Sequence, residues 1–100
     1  MKIVAVTACP AGVAHTYMAA KALEKEAIQR GHEIKIEKQG TLGIDDELTE
    51  REIEEADVVI FAVSVAVEDA DRFEDKKIID VEIGDVLGNP QKIIDKVENL

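Results

Sequence analysis

The sequence predicts an α/β fold: a three-layer α/β/α open sheet of four mainly parallel strands in the order 2-1-3-4. Three observations carry this. The runs Ile3-Val4-Ala5-Val6 and Val58-Val59-Ile60-Phe61-Ala62-Val63 are continuously apolar, as strands covered on both faces are. Two further runs, residues 33–39 and 77–82, mix apolar with charged residues and suit outer positions. Helical patterns separate the strands, which implies a parallel sheet with helices on both faces; right-handed crossovers then favour the order given. One hundred residues make a single domain, 1–100, large enough for one core without metal or disulfide.

The elements follow in order. Lys2–Ala8 is the first central strand. Residues 13–30 form a helix with Val13, Ala20, Leu23 and Ala27 on one face and Tyr17 and Ile28 at its margin. Lys21, Lys25 and Glu26 fall on the solvated side. Ala19, Ala20 and Ala22 keep the helix slim, and Gly31 stops it. Residues 33–39 alternate Ile34 and Ile36 against Lys35, Glu37 and Lys38, the pattern of an edge strand with one exposed face. The segment Gln39-Gly40-Thr41-Leu42-Gly43-Ile44 is either an ordinary turn or a wall beside the end of strand one. Thr49-Glu50-Arg51-Glu52 is a capping box for a short helix reaching Ala56. The second central strand, 58–63, is followed by a loop over residues 64–75. Strand four covers 77–82. Gly84 and Gly88 bracket a turn or one short helical turn. Asn89-Pro90 caps the last helix, which buries Ile93, Ile94 and Val97.

The chemistry is concentrated in Cys9-Pro10-Ala11-Gly12-Val13-Ala14-His15-Thr16, between the first strand and the first helix. Proline and glycine punctuate the turn, and Gly12 permits a close wrap of backbone around an anion. The first amides of a helix lack intrahelical partners, and the dipole draws negative charge to that end. A free cysteine has a pKa of about 8.5 and is only ~3% thiolate at pH 7. A favourable helix-end field is worth up to ~2 kcal/mol, or about 1.5 pKa units, enough to make Cys9 roughly half thiolate. The same amides would hold a phosphoryl group on the sulfur. A lone cysteine is more often a buried structural residue; the strand–loop–helix setting favours a nucleophile. In the predicted order the sheet reverses direction between strands one and three, and ligands bind beside such a switch point. Cys9 stands there.

Charge and composition narrow the partners. Lys and Arg number 12 against 22 Asp and Glu, a net charge of −10, which argues against nucleic acid and anionic membrane and suits a partner with a basic docking face. Only three aromatics are present, too few for a base-stacking platform. No apolar run approaches the ~20 residues of a membrane span, so direct membrane insertion is not expected. A single cysteine fits a reducing cytoplasm. One cysteine and two separated histidines make no metal site, and nothing calls for a cofactor. His32, after the helix stop, is expected to be solvated. His15, six residues after Cys9, is either a phosphate contact or thiolate partner, or a first-turn helix residue satisfied elsewhere.

On these residues the chain resembles a fructose-family IIB component of the bacterial phosphoenolpyruvate-dependent sugar phosphotransferase system. The resemblance covers nearly the whole length. It is carried by the Cys9–Thr16 motif with Met18-Ala19-Ala20 behind it, and by Gly31-His32-Glu33-Ile34-Lys35. Gln39-Gly40 with Gly43-Ile44, Ala56-Asp57-Val58-Val59-Ile60, and Arg72-Phe73 add to it. Ala11 departs from it, where the family often has threonine. The resemblance implies that Cys9 takes a phosphoryl group from a phosphohistidine of a IIA component. It further implies delivery to a sugar, fructose, held by the membrane-embedded IIC component, with Pro10, Ala11, Gly12, Val13, Ala14, His15 and Thr16 as the phosphate cradle. Two other functions remain open from the residues. A cysteine phosphatase of the low-molecular-weight kind would need an arginine where His15 stands, and an acid such as Asp69 or Asp71. A non-catalytic module could instead sense a phosphorylated partner or redox state.

Overall fold

The structure is a computed structural model that describes residues 1–9, 13–40 and 43–100. Among the described residues, five strands form one sheet: β1 (Lys2–Ala8), β2 (Glu33–Gly40), β3 (Gly43–Asp45), β4 (Val58–Val63) and β5 (Ile78–Glu82), in the order β3-β2-β1-β4-β5. The four long strands are parallel, and their order is the predicted 2-1-3-4. The sequence reading did not include β3. It pairs antiparallel with the end of β2, Gly40 opposite Gly43. Gly43 has φ 128°, a backbone conformation that glycine adopts without a Cβ penalty. Three residues are too few to show an alternating pattern, so this strand carried no periodic signal.

Helices cover both faces. α1 (Val13–Gln29), α3 (Ile83–Gly88) and α4 (Pro90–Glu98) pack on one, and α2 (Glu50–Glu55) with a 3-10 turn (Ala70–Phe73) packs on the other. Alternate residues of β1 feed the two cores. Ile3 and Ala5 meet Leu23 and Ala27 of α1 and Ile94 and Val97 of α4. Val4 and Val6 meet Leu48, Ile53 and Phe73. Phe61 and Phe73 stack edge to face with centroids 5.3 Å apart, a preferred aromatic geometry.

The predicted caps are present. Thr49 accepts from the Glu52 amide while the Glu52 side chain accepts from the Thr49 amide. Asn89 accepts from the Lys92 amide with Pro90 at the first helical position. Gly31, φ 79°, ends α1.

Three solvated assignments need correction. Glu37 is fully buried, because the β2 face that carries it is covered by Leu48 and by Arg72. Glu26 is half-buried because it pairs with Arg30. The His32 side chain is only 11% exposed, held by Glu98 at 2.7 Å and by the Met1 amine at 3.1 Å.

Candidate functional site

β1 carries Cys9 to the carboxyl edge of the sheet, between β2 and β4. In register, Ala8 lies between Gln39 of β2 and Val63 of β4. The Ser64 amide donates to the Ala8 carbonyl at 2.9 Å, which ties the start of the loop after β4 to the base of the cysteine. On the other side, the buried Thr7 hydroxyl donates to the Thr16 carbonyl at 3.2 Å. That bond fixes the first turns of α1 against β1, so both ends of the Cys9–Thr16 loop are anchored. β1 and β4 are where the sheet reverses its order, the place where open α/β sheets bind ligands.

Cys9 is 6% exposed. Its Sγ lies 3.8 Å from His15 Nδ1, within contact range for sulfur. Ala8, Cys9, Gln39, Gly40, Val65, Ala66 and Glu68 line a cavity of about 160 Å3, room for a few waters or a small anion. Larger hollows of about 540 and 510 Å3 lie elsewhere, and neither is lined by a cysteine, serine or threonine. The first of them sits at the opposite ends of β1 and β2, beside Lys2 and Glu33.

Of the predicted cradle, Val13 opens α1, Ala14 and His15 are exposed on its first turn, and Thr16 is buried. Pro10, Ala11 and Gly12 lie outside the described residues, as do Thr41 and Leu42 of the proposed wall. The rest of that segment is both turn and wall, since Gln39 and Gly40 line the cavity and Gly40 pairs with Gly43. The hydroxyl of Tyr17 donates to the Asp45 carboxylate, which raises the phenol above its ordinary pKa. The Lys38 ammonium lies 5.6 Å from the Tyr17 ring centroid. α1 is thereby attached to the β2–β3 hairpin.

Beneath the cavity is a polar network that the sequence reading did not assemble. Arg72 donates to both oxygens of Glu37, at 2.9 and 3.0 Å. The Leu48 amide and Gln39 Nε2 also donate to Glu37, at 2.9 and 2.7 Å. Burial alone would raise the Glu37 carboxyl; the bonds from Arg72, Gln39 and Leu48 outweigh it and hold the group below the usual carboxylate range. Gln39 in turn grips the backbone of Glu68 twice, accepting from its amide at 2.8 Å and donating to its carbonyl at 3.2 Å. The available signal was weak: a cation beside a phenylalanine, Arg72-Phe73, and a glutamate in an alternating strand, 35 residues apart.

Among the described residues, no group of three His, Cys, Asp or Glu could hold a metal, and no helix is long and apolar enough to cross a membrane. A buried thiol at a sheet's switch point, against the first turn of a helix, defines an α/β domain with a candidate nucleophile site. The comparisons say which. The family model described as "PTS system, Lactose/Cellobiose specific IIB subunit" matches residues 4–96. The chain belongs to the IIB family of the sugar phosphotransferase system, whose role is phosphotransfer. Several of its relatives are named as fructose-like EIIB components. It is 46% identical to fructose-like EIIB component 2 of Escherichia coli K12, over 97% of this chain and 92% of the relative. It is 43% identical to fructose-like EIIB component 1 of the same strain, over 99% and 92%. The solved Enzyme IIB subunit from Escherichia coli K12 superposes with a TM-score of 0.92 at 44% identity, covering 97% of this chain and 90% of that one. A domain of the fructose-specific IIABC component of Borrelia burgdorferi gives 0.91 at 49%, covering 97% and 92%.

Proposed function

We propose that this chain is a single IIB domain that carries a phosphoryl group on Cys9 from a IIA component to a sugar of the fructose type. The thiolate attacks the phosphorus of a phosphohistidine on the IIA component; the P–N bond breaks, the S–P bond forms, and the ring leaves as neutral imidazole after taking up a proton from water. A hydroxyl of sugar bound by the membrane IIC component then attacks the same phosphorus. The S–P bond breaks, the thiolate is regenerated and the hydroxyl proton passes to base or water. Residues 10–16 are the cradle: the N–H groups that follow Pro10, which has none of its own, and the start of α1 would bind the phosphoryl oxygens, and His15 Nδ1 stands 3.8 Å from the sulfur. The work is cytoplasmic, with protein partners on both steps, no nucleic acid and no insertion into the bilayer.

The observation that carries this reading is Cys9 itself. It is buried at the sheet's switch point, with its Sγ 3.8 Å from His15 and a small cavity beside it. A carrier needs a nucleophile and an anion cradle, and its phosphoryl group must last until the acceptor docks. A phosphatase must also neutralise charge on the equatorial oxygens, typically with an arginine. The position six residues after the cysteine holds His15. The test is to purify the phosphorylated protein, remove the donor and follow its decay. Slow hydrolysis alone, with rapid return of the group on adding dephosphorylated IIA component, is the carrier's behaviour. Rapid loss without any partner, with turnover of a small aryl phosphate, would make the protein a phosphatase.

A further inference from the structure

We propose that Gln39, oriented by the buried Glu37–Arg72 pair, is a positioning residue that holds the backbone of residues 65–68 as one wall of the Cys9 cavity. The segment after β4 reaches the cavity through Val65, Ala66 and Glu68. It has no regular secondary structure until the 3-10 turn at Ala70–Phe73, so something other than a strand ladder must set its place. At its start the Ser64 amide bonds the Ala8 carbonyl. At its far end, the Gln39 side chain bonds both the amide and the carbonyl of Glu68. This is the two-bond pattern of a strand pair, made by one side chain. A primary amide suits the task, since it donates and accepts in one plane.

Gln39 keeps that orientation because its Nε2 also donates to Glu37, a carboxylate with no exposed surface. An ionised carboxylate only accepts, so it forces the amide nitrogen toward itself and leaves the oxygen for the Glu68 amide. Arg72 fixes the carboxylate in turn with a bidentate grip, a geometry that sets direction as well as attraction. The same guanidinium donates to the Glu68 carbonyl at 3.2 Å and to the Asp69 carbonyl at 2.9 Å. Asp69 has φ 55°, a left-handed conformation that aspartate tolerates better than most residues, and here its carbonyl is held by Arg72. One buried pair therefore directs the loop at two successive residues, and Gln39 transmits that to the wall beside the thiol.

The test has two readouts on the full chain. One is the alkylation rate of the Cys9 thiol by iodoacetamide. The other is phosphoryl acceptance from phosphorylated IIA component, and that arm rests on the carrier reading above. Gln39→Met removes both bonds to Glu68 and keeps side-chain bulk, with Glu37 still paired to Arg72. We expect a cooperative fold, alkylation about tenfold faster as the wall opens, and acceptance about tenfold slower at saturating donor with little change in half-saturation. The double variant Glu37→Met with Arg72→Leu replaces a buried ion pair by apolar groups, a change that often preserves stability. A residue pair that served stability alone would then leave both readouts at wild-type values. Our assignment expects both to shift as in Gln39→Met. Wild-type alkylation rates in both variants would overturn it. If the wild-type chain accepts no phosphoryl group, the carrier reading fails while the wall is still judged by alkylation.

Discussion

Arg72 and Arg30 both pair with carboxylates, at opposite ends of the sheet, and they do different things because water reaches two of the carboxylates around Arg30 and does not reach the one that Arg72 holds. Arg72 meets a single carboxylate, Glu37, whose side chain is 0% exposed. Arg30 bonds Glu26 and Asp95 at 2.7 and 2.6 Å and Glu98 at 2.8 Å, and also the Gln91 carbonyl. Asp95 there is 58% exposed and Glu98 35%. The Arg30 cluster attaches the end of α1 to α4, far from any chemistry. If one of its pairs is broken, solvent solvates what remains. The Arg72 pair has no such alternative, since its carboxylate lies under the floor of the cysteine site. A buried ion pair is a poor source of net stability and a demanding one to break. Its presence where a direction must be held is therefore informative in a way that the surface cluster is not.

The comparison breaks most sharply if one arginine is removed from each end. Arg72→Met strands a buried carboxylate and should cost roughly 3–5 kcal/mol, read as a lower urea midpoint. Arg30→Met should cost clearly less: its pairs with Asp95 and Glu98 are solvent-accessible and contribute little, and none of the carboxylates it leaves, half-buried Glu26 included, is as fully buried as Glu37. Equal losses would mean that burial does not distinguish the two.

Acid sharpens it further. Both Glu37 and Glu98 are held below the ordinary carboxylate range, Glu98 by the bonds from His32 and Arg30. A carboxyl lowered by folding stabilises the native state above its unfolded pKa of about 4.3, and that contribution is lost as pH falls through the native value. Stability should therefore fall below about pH 4.3 in the wild-type chain. In the double variant Glu37→Met with Arg72→Leu, that acid limb should be shallower. An unchanged limb would remove Glu37 from the account.

Salt gives the smallest effect. The stability difference between wild type and Arg30→Met should shrink as sodium chloride rises to about 0.5 M, since exposed charges are screened within a few ångström. The difference for Arg72→Met should hardly move. Phosphoryl acceptance by Arg30→Met should match wild type throughout. A salt-sensitive Arg72 pair, or a transfer defect from Arg30, would dissolve the contrast between the two ends.

The same contrast governs what could be read from the sequence. The central strands are continuous apolar runs, and the structure has both at the predicted residues, Lys2–Ala8 and Val58–Val63. The caps at Thr49, Asn89 and Gly31 depend on local chemistry and are equally legible. Cys9 was visible because strand, turn and helix signals meet there. Glu37 was not, since a glutamate in an alternating strand looks like any solvated face. Only the long-range placement of Leu48 and Arg72 makes it a buried anion. His32 misled for the same reason: its partner Glu98 is 66 residues away. Periodicity reports local burial, while polar networks are written in pairs that no window contains.

The central claim is that the sulfur of Cys9 takes the phosphoryl group. The direct measurement is to phosphorylate the protein through a complete donor cascade ending in the IIA component, and to locate the modification by fragmentation mass spectrometry. Cys9 and His15 fall between Lys2 and Lys21, so trypsin leaves both on one peptide and fragment ions must separate them. The account predicts one phosphoryl group on Cys9 and none on Cys9→Ser, whose hydroxyl is a far poorer nucleophile than a thiolate. A phosphoryl group on His15, or one retained at a similar rate by Cys9→Ser, would contradict it.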